Sequence, residues 1–144
     1  MPIVAAVESE RDARPVLEEA ASLAEAYNTP VHVVHVSGQY ESTGRVRKTA
    51  QSQPGEELDV EESRERARDR AARLAADVVP DVTPVGRVGY PAREIVAYAD
   101  EQDARYVVIG GRKRSPVGKV LFGSVTQAVL LDADQPVVCV RVDD

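Results

Sequence analysis

Runs of β-branched residues recur along the chain, each separated from the next by a stretch whose apolar residues repeat at helical spacing. The strand candidates are "PIVAAV" (2–7), "VHVVHV" (31–36), "DVTPVGRVG" (81–89), "ARYVVIG" (104–110) and "QPVVCVRV" (135–142). Parallel neighbours need a crossover connection, which a helix supplies, so this alternation predicts a doubly wound α/β domain with right-handed connections. "VHVVHV" carries valines on both faces, as expected of a strand covered by helices above and below. Pro84 lacks an amide donor, which points the third run to a sheet edge.

The intervening segments carry helix punctuation. Ser9-Glu10-Arg11-Asp12 reads as a capping box, in which two side chains satisfy amides left free at a helix start. Val16, Leu17, Ala20, Leu23, Ala24 and Tyr27 then follow at helical spacing until "NTP" ends the run. From Glu56 to Val79 a charged helix places Leu58, Ala67, Ala71, Leu74, Ala75 and Val78 on one side. "YPAREIVAYADEQ" is a short helix with Pro91 in its first turn, and "GSVTQAVLLDA" is another, with Ser124 as expected N-cap and Gln127 closing its capping box. Residues 37–55 are polar and aperiodic, and a connection of that length in a compact domain is either functional or disordered.

With 144 residues and 15.6 kDa, residues 1–144 fit one domain able to bury a core without staples. No apolar run is long enough to span a membrane, and Met1-Pro2-Ile3-Val4 leads into charged residues rather than a secretory leader. The lone Cys139 excludes an intrachain disulfide and suits a reducing cytoplasm. A net charge of −6 argues against general nucleic-acid binding, which needs a positive surface. The basic residues are nearly all Arg, with Lys48, Lys113 and Lys119 the exceptions; a Lys-poor acidic surface suits a high-salt, haloarchaeal-like source, and a GC-rich genome would favour Arg equally.

Against that acidic background, "VVIGGRKRSPVGKVLFGSV" (107–125) holds no carboxylate yet contains Arg112, Lys113, Arg114 and Lys119. Within it the fourth strand is predicted to run out at Ile109, and Gly110-Gly111 to start a loop. In open α/β sheets ligands sit outside the carboxyl ends of the strands, where the strand order reverses. Gly110 and Gly111 allow close backbone approach or positive φ, and the helix opening at Gly123-Ser124 offers free amides and a partial positive charge. Together with the cations these features imply a phosphate-bearing ligand. The stretch is not a P-loop, because six residues separate Gly111 from Gly118 where four are needed and Val120 stands where a Mg²⁺-binding Ser or Thr belongs. The dinucleotide fingerprint is likewise absent after the first strand.

The stretch resembles the closing motif of the universal stress protein family: Gly, two residues, Gly, nine residues, then Gly-Ser/Thr. Here it stands as Gly110-Gly111-Arg112-Lys113, nine residues, Gly123-Ser124. "VAAVESE", "VHVVHV", "GYPAREIV" and "QPVVCVRV" resemble further landmarks of that family, in its order and across essentially the whole chain. The resemblance implies a Rossmann-like five-stranded parallel sheet of order 3-2-1-4-5. It also implies ATP or AMP as ligand, with Mg²⁺ accompanying ATP, and a homodimer paired through the last strand. By position, the adenosine would contact Ala6, Glu8 (where Asp is usual), Val36 and Ile109. The phosphates would meet Gly110, Arg112, Lys113, Gly123, Ser124 and Val125. Lys113 departs from the family glycine, and a side chain held there at positive φ would cost about 1–2 kcal/mol.

Blander readings apply to the same residues. The cations can form a solvated loop or a subunit contact, and Gly123-Ser124 can cap a helix without any ligand. His32 and His35, at odd offset on a strand, point to opposite faces and make no metal pair. His35 reads as a hydrogen-bonded core or pocket-edge residue, and Cys139 as a small apolar one. Ser124 has no evident base and the basic loop no carboxylate, so no catalytic constellation is expected. Three functional readings follow: a cytoplasmic adenine-nucleotide-binding stress regulator acting as a homodimer with unidentified protein partners; a non-binding protective or interaction module, favoured by Lys113; and a weak ATPase using Glu8.

Overall fold

The computed structural model describes residues 1–38, 56–113 and 120–142; of the loop expected over 37–55, Ser37 and Gly38 belong to a strand, and the rest, together with Arg114 and Lys119, lies outside the described residues. The described elements run β1 (Ile3–Ala6), α1 (Glu10–Tyr27), β2 (Val31–Gly38), α2 (Glu56–Ala76), β3 (Val82–Gly89) and α3 (Pro91–Glu101). They continue with β4 (Tyr106–Lys113), β5 (Val120–Leu121), α4 (Ser124–Asp132) and β6 (Val137–Val142).

Five of these strands form the parallel sheet expected from the sequence. β1 lies between β2 and β4, β3 flanks β2, and β6 flanks β4, so the predicted order 3-2-1-4-5 holds with β6 as its last member. Pro84 accordingly sits on the edge strand β3, in register with Val33. The short β5 is an addition, antiparallel to the end of β4. Val107 faces both Val4 and Val137, whereas Arg112 faces both Leu121 and Val142. β5 therefore runs on beyond the end of β1, along the same edge of β4.

The period-2 alternation of the strands divides the core between the two faces. Ile3, Ala5, Val31, Val33 and Val108 pack beneath α1 and α2, with Val16, Leu17, Ala20, Ala71 and Leu74 closing over them. Val4, Ala6, Val34, Val107 and Ile109 point the other way, against Ile95, Tyr98 and Ala99 of α3 and Val129 of α4. The central β1 is wholly buried, as a strand covered on both faces must be. On α2 the buried residues are the small Ala67, Ala71 and Ala75 with Leu74, and this lets the helix backbone lie directly on β3 at Gly86.

The capping box at α1 forms as expected. The Ser9 Oγ accepts from the Arg11 amide at 3.3 Å, and the Asp12 carboxylate accepts from the Ser9 amide at 2.9 Å. The two histidines part as strand geometry requires: His32 Nδ1 meets the Tyr98 hydroxyl at 2.7 Å on one face, and His35 Nδ1 lies 3.0 Å from the Val7 carbonyl. No described helix is long and apolar enough to cross a membrane.

Two expectations need correction. The fourth strand does not end at Ile109 but continues through Gly110, Gly111, Arg112 and Lys113, because β5 and β6 supply pairing partners on its two edges. Lys113 is thus extended backbone paired with Val120, and the strain expected of a side chain at positive φ does not arise. Nor is Ser124 the N-cap of α4. That position is taken by Gly123 at φ −69° and ψ 169°, and Gln127 turns back to donate its Nε2 to the Phe122 carbonyl at 2.9 Å.

Candidate functional site

A cavity of about 420 Å³, within the usual size range for small-molecule sites, opens at the carboxyl ends of β1, β4 and β6. This is the place where the strand order reverses, with β2 on one side of β1 and β4 on the other. Its walls are the N-terminal turns of two helices. α1 contributes Glu8, Ser9, Arg11 and Asp12, while α4 contributes Phe122, Gly123, Ser124, Val125 and Thr126. Gly110 and Val142 form its floor.

The two helix starts differ in a way that matters for anions. Every α-helix begins with amides that have no intrahelical partner. At α1 the protein satisfies some of them itself through Ser9 and Asp12. At α4 the N-cap is glycine, no side chain caps the turn, and the first helical bond runs from the Gln127 amide to the Gly123 carbonyl at 3.0 Å. The turn from Ser124 to Thr126 therefore presents its amides toward the cavity, with the positive end of the helix dipole behind them. The Thr126 hydroxyl, almost wholly buried, donates to the Gly110 carbonyl at 2.9 Å and fixes this turn to β4.

Gly110 is required by packing and not by backbone conformation. A Cβ there would come within 2.9 Å of a Val142 methyl and 3.5 Å of the Asp12 Cβ, filling the floor of the cavity. Gly123 is the opposite case, since nothing lies within 4 Å of a Cβ placed on it. Bulk at 123 would project into open cavity space.

Asp12 is a residue that the sequence placed only in a cap. Its carboxylate accepts from the amides of Glu8 at 3.1 Å and Ser9 at 2.9 Å while lining the cavity. Burial pushes its pKa above the ordinary carboxylate value and outweighs the opposing effect of those amide bonds; the neighbouring Glu8 charge pushes the same way. Arg11 supplies a cation at the rim. Neither was picked out as a site residue, although a capping box directly after the first strand puts both at the carboxyl edge of the sheet.

Of the residues expected at the site, Glu8, Gly110, Gly123, Ser124 and Val125 line the cavity. Ala6 ends β1, Val36 lies near the end of β2 and Ile109 lies inside β4; all three are outside the cavity lining, with Ala6 and Ile109 buried. Arg112 and Lys113 close β4 beside β5, which places their backbone just beyond Gly110. Cys139 is half-buried, its Sγ would stand 2.7 Å from a Cβ on Gly111, and burial pushes its thiol pKa up, away from thiolate chemistry. Among the described residues no cluster of three His, Cys, Asp or Glu side chains could hold a metal.

An open α/β sheet with a cavity at its switch point, walled by an uncapped helix start, defines a Rossmann-like fold. The chain belongs to the universal stress protein family, whose model matches residues 1–141. It is similar to a universal stress protein of Mycolicibacterium smegmatis, 48% identical over 48 residues. That match covers 33% of this chain and 37% of the relative, so it spans little more than a third of the relative's length. Among solved structures, a universal stress protein from Archaeoglobus fulgidus is 35% identical with a TM-score of 0.63, covering 97% of this chain and 98% of its own. A structure of the universal stress protein from Archaeoglobus fulgidus in complex with dAMP is 28% identical with a TM-score of 0.57, and 97% of each chain is covered.

Proposed function

We propose that this protein is an adenine-nucleotide-binding stress regulator that acts as a homodimer, signalling by occupancy without turnover. The observation that carries the reading is the uncapped start of α4, whose amides face a cavity of nucleotide-compatible size. The 28%-identical structure in complex with dAMP supports an adenine nucleotide as the ligand. In this reading the phosphates meet Gly110, Gly123, Ser124 and Val125, together with Arg112 and Lys113 at the end of β4. The adenosine rests along Ala6, Glu8, Val36 and Ile109. Glu8 accepts hydrogen bonds from ribose or base. A Mg²⁺ ion carried in on ATP would be held mainly by phosphates and water, since no cluster of three His, Cys, Asp or Glu among the described residues could hold one.

Calorimetric titration with ATP, AMP and cyclic AMP at low and high salt tests this directly. Saturable binding that weakens with salt is expected, and the absence of heat with all three would end the reading. The same titration probes Asp12. Its carboxylate faces the space assigned to a phosphate, and like charges repel strongly where burial limits screening. Asp12→Asn keeps an acceptor for the cap and removes the charge, so in metal-free buffer it is expected to bind AMP about three- to tenfold more tightly. Weaker binding would mean that Asp12 holds the ligand instead of opposing it.

The dimer rests on β6. Among the described residues β6 pairs only with β4, and an unpaired edge is a template for another strand. Val137, Val138, Cys139 and Val140 are all only half-buried, and on the neighbouring α4 Leu131 is 84% exposed. Sedimentation at micromolar concentration is expected to show a dimer; a monomer throughout would remove this part of the proposal.

A further inference from the structure

At the opposite end of the sheet from the cavity, α1 ends and β4 begins side by side. Tyr27, the last residue of α1, and Tyr106, the first of β4, are 79 positions apart, yet their hydroxyl oxygens lie 3.2 Å from each other. Their ring centroids are 5.6 Å apart with the planes tilted by 45°. Since the hydroxyls are closer than the centroids, the rings converge at their oxygen ends. The carbons flanking each hydroxyl are on that converging side. Tyr27 is 41% exposed, and Tyr106 is half-buried, so a diffusing oxidant can reach the pair.

We propose that Tyr27 and Tyr106 form an oxidative cross-linking site that closes into a dityrosine staple under peroxide-driven one-electron oxidation. Each phenol gives up its O–H proton and one electron. The two phenoxyl radicals, whose unpaired spin is shared with the carbons ortho to oxygen, couple there in a carbon–carbon bond. The hydrogens on the two coupling carbons then move to the oxygens and restore both aromatic rings. The net loss of two hydrogens is balanced by one hydrogen peroxide, reduced to two waters by a haem peroxidase that takes the electrons one at a time.

The surroundings favour this chemistry at Tyr27. The Arg105 guanidinium lies over its ring at 3.8 Å from the centroid. Hydrogen bonds from Tyr106 and Arg105 lower the pKa of Tyr27, and a phenolate yields an electron more readily than a phenol. The same hydrogen bond raises the pKa of Tyr106, so Tyr27 is the phenol that ionises first. The other described tyrosines have no such neighbour: Tyr98 is buried against His32, and Tyr90 lies beside Arg93.

Closure would tie the end of α1 to the start of β4 across most of the chain, and a link between distant residues restricts the unfolded ensemble much as a disulfide does. The test is to treat the intact protein at low concentration with hydrogen peroxide and a haem peroxidase. The monomer is then examined by mass spectrometry, by blue dityrosine fluorescence and by thermal unfolding. The expected product is a monomer lighter by two hydrogens, fluorescent, linked between the peptides carrying Tyr27 and Tyr106, and unfolding at a higher temperature. Tyr27→Phe and Tyr106→Phe, each removing one surface hydroxyl, are expected to lose the link while keeping the fold. A link at other tyrosines, a link only between chains, no link, or an unchanged unfolding midpoint overturns the proposal.

Discussion

Gly86→Ala is expected to destabilise the protein by about 3–5 kcal/mol, a large part of the roughly 5–15 kcal/mol that holds a domain of this size together. A Cβ on Gly86 would stand 2.2 Å from the Arg64 carbonyl oxygen, 2.2 Å from the Arg68 amide nitrogen and 2.8 Å from the Ala67 carbonyl carbon. All three are backbone atoms of α2. A side chain could rotate out of the way, but a helix backbone can only move as a unit, so the methyl must lift α2 from β3 and from the core that Ala71, Leu74 and Ala75 help to close. Because the obstruction is backbone, trimming a neighbour does not relieve it, and Ala67→Gly in the same chain is not expected to rescue stability. Gly38→Ala is the control, since nothing lies within 4 Å of its Cβ. The measurement is thermal and urea unfolding of the three variants beside the natural protein. A fall in the midpoint on the order of 10 °C for Gly86→Ala is expected, against little change for Gly38→Ala. Equal behaviour of the two would show that α2 does not press on β3 as the structure has it.

That contact also marks how far a sequence can be followed. The parallel sheet is legible because β-branched runs and helical periodicity alternate, and because two of the helices carry their own punctuation: Ser9 and Asp12 at one start, Pro91 at another. These are local signals, fixed by covalent geometry and by amides that need partners. Gly86 carried only a hint, an isolated glycine in a strand pattern, which signals close backbone approach without naming the partner. The basic stretch misled in a specific way. Glycines and charges look like loop, yet Gly110 to Lys113 are strand residues because β6 and β5 are there to pair with them. That is a long-range effect which no local propensity records. Gly110 and Gly111 suggest close backbone approach or positive φ, and of these the positive φ does not arise; a Cβ on either would meet Val142, or Cys139 and Phe122. Asp12 and Phe122 reached the site for a similar reason: a cavity is defined by which helix start meets which strand end, and only tertiary structure brings residues 8–12 to residues 122–126.

Gly123→Val separates the two roles that this end of the chain could play, capping a helix or admitting a phosphate. The substitution is sterically free within the protein, with nothing within 4 Å of the new Cβ, and φ −69° with ψ 169° is extended backbone open to any L-residue. Its cost to stability is confined to the N-cap, where a β-branched residue is poorer than glycine by about 1 kcal/mol. The methyls of valine would, however, occupy the cavity in front of the Ser124 to Thr126 turn, where a phosphate must come within hydrogen-bonding distance of the amides. AMP affinity is therefore expected to fall at least about tenfold, a loss of about 1.4 kcal/mol or more, while far-ultraviolet circular dichroism is unchanged and the unfolding midpoint shifts by only a few degrees. Gly123→Ala, with a single methyl, is expected to fall between the two. Unchanged affinity in a folded Gly123→Val protein would mean that the phosphate does not bind at the start of α4. The uncapped turn would then serve only the helix, and a ligand detected by titration would have to be sought nearer Glu8 and the ends of β1 and β2.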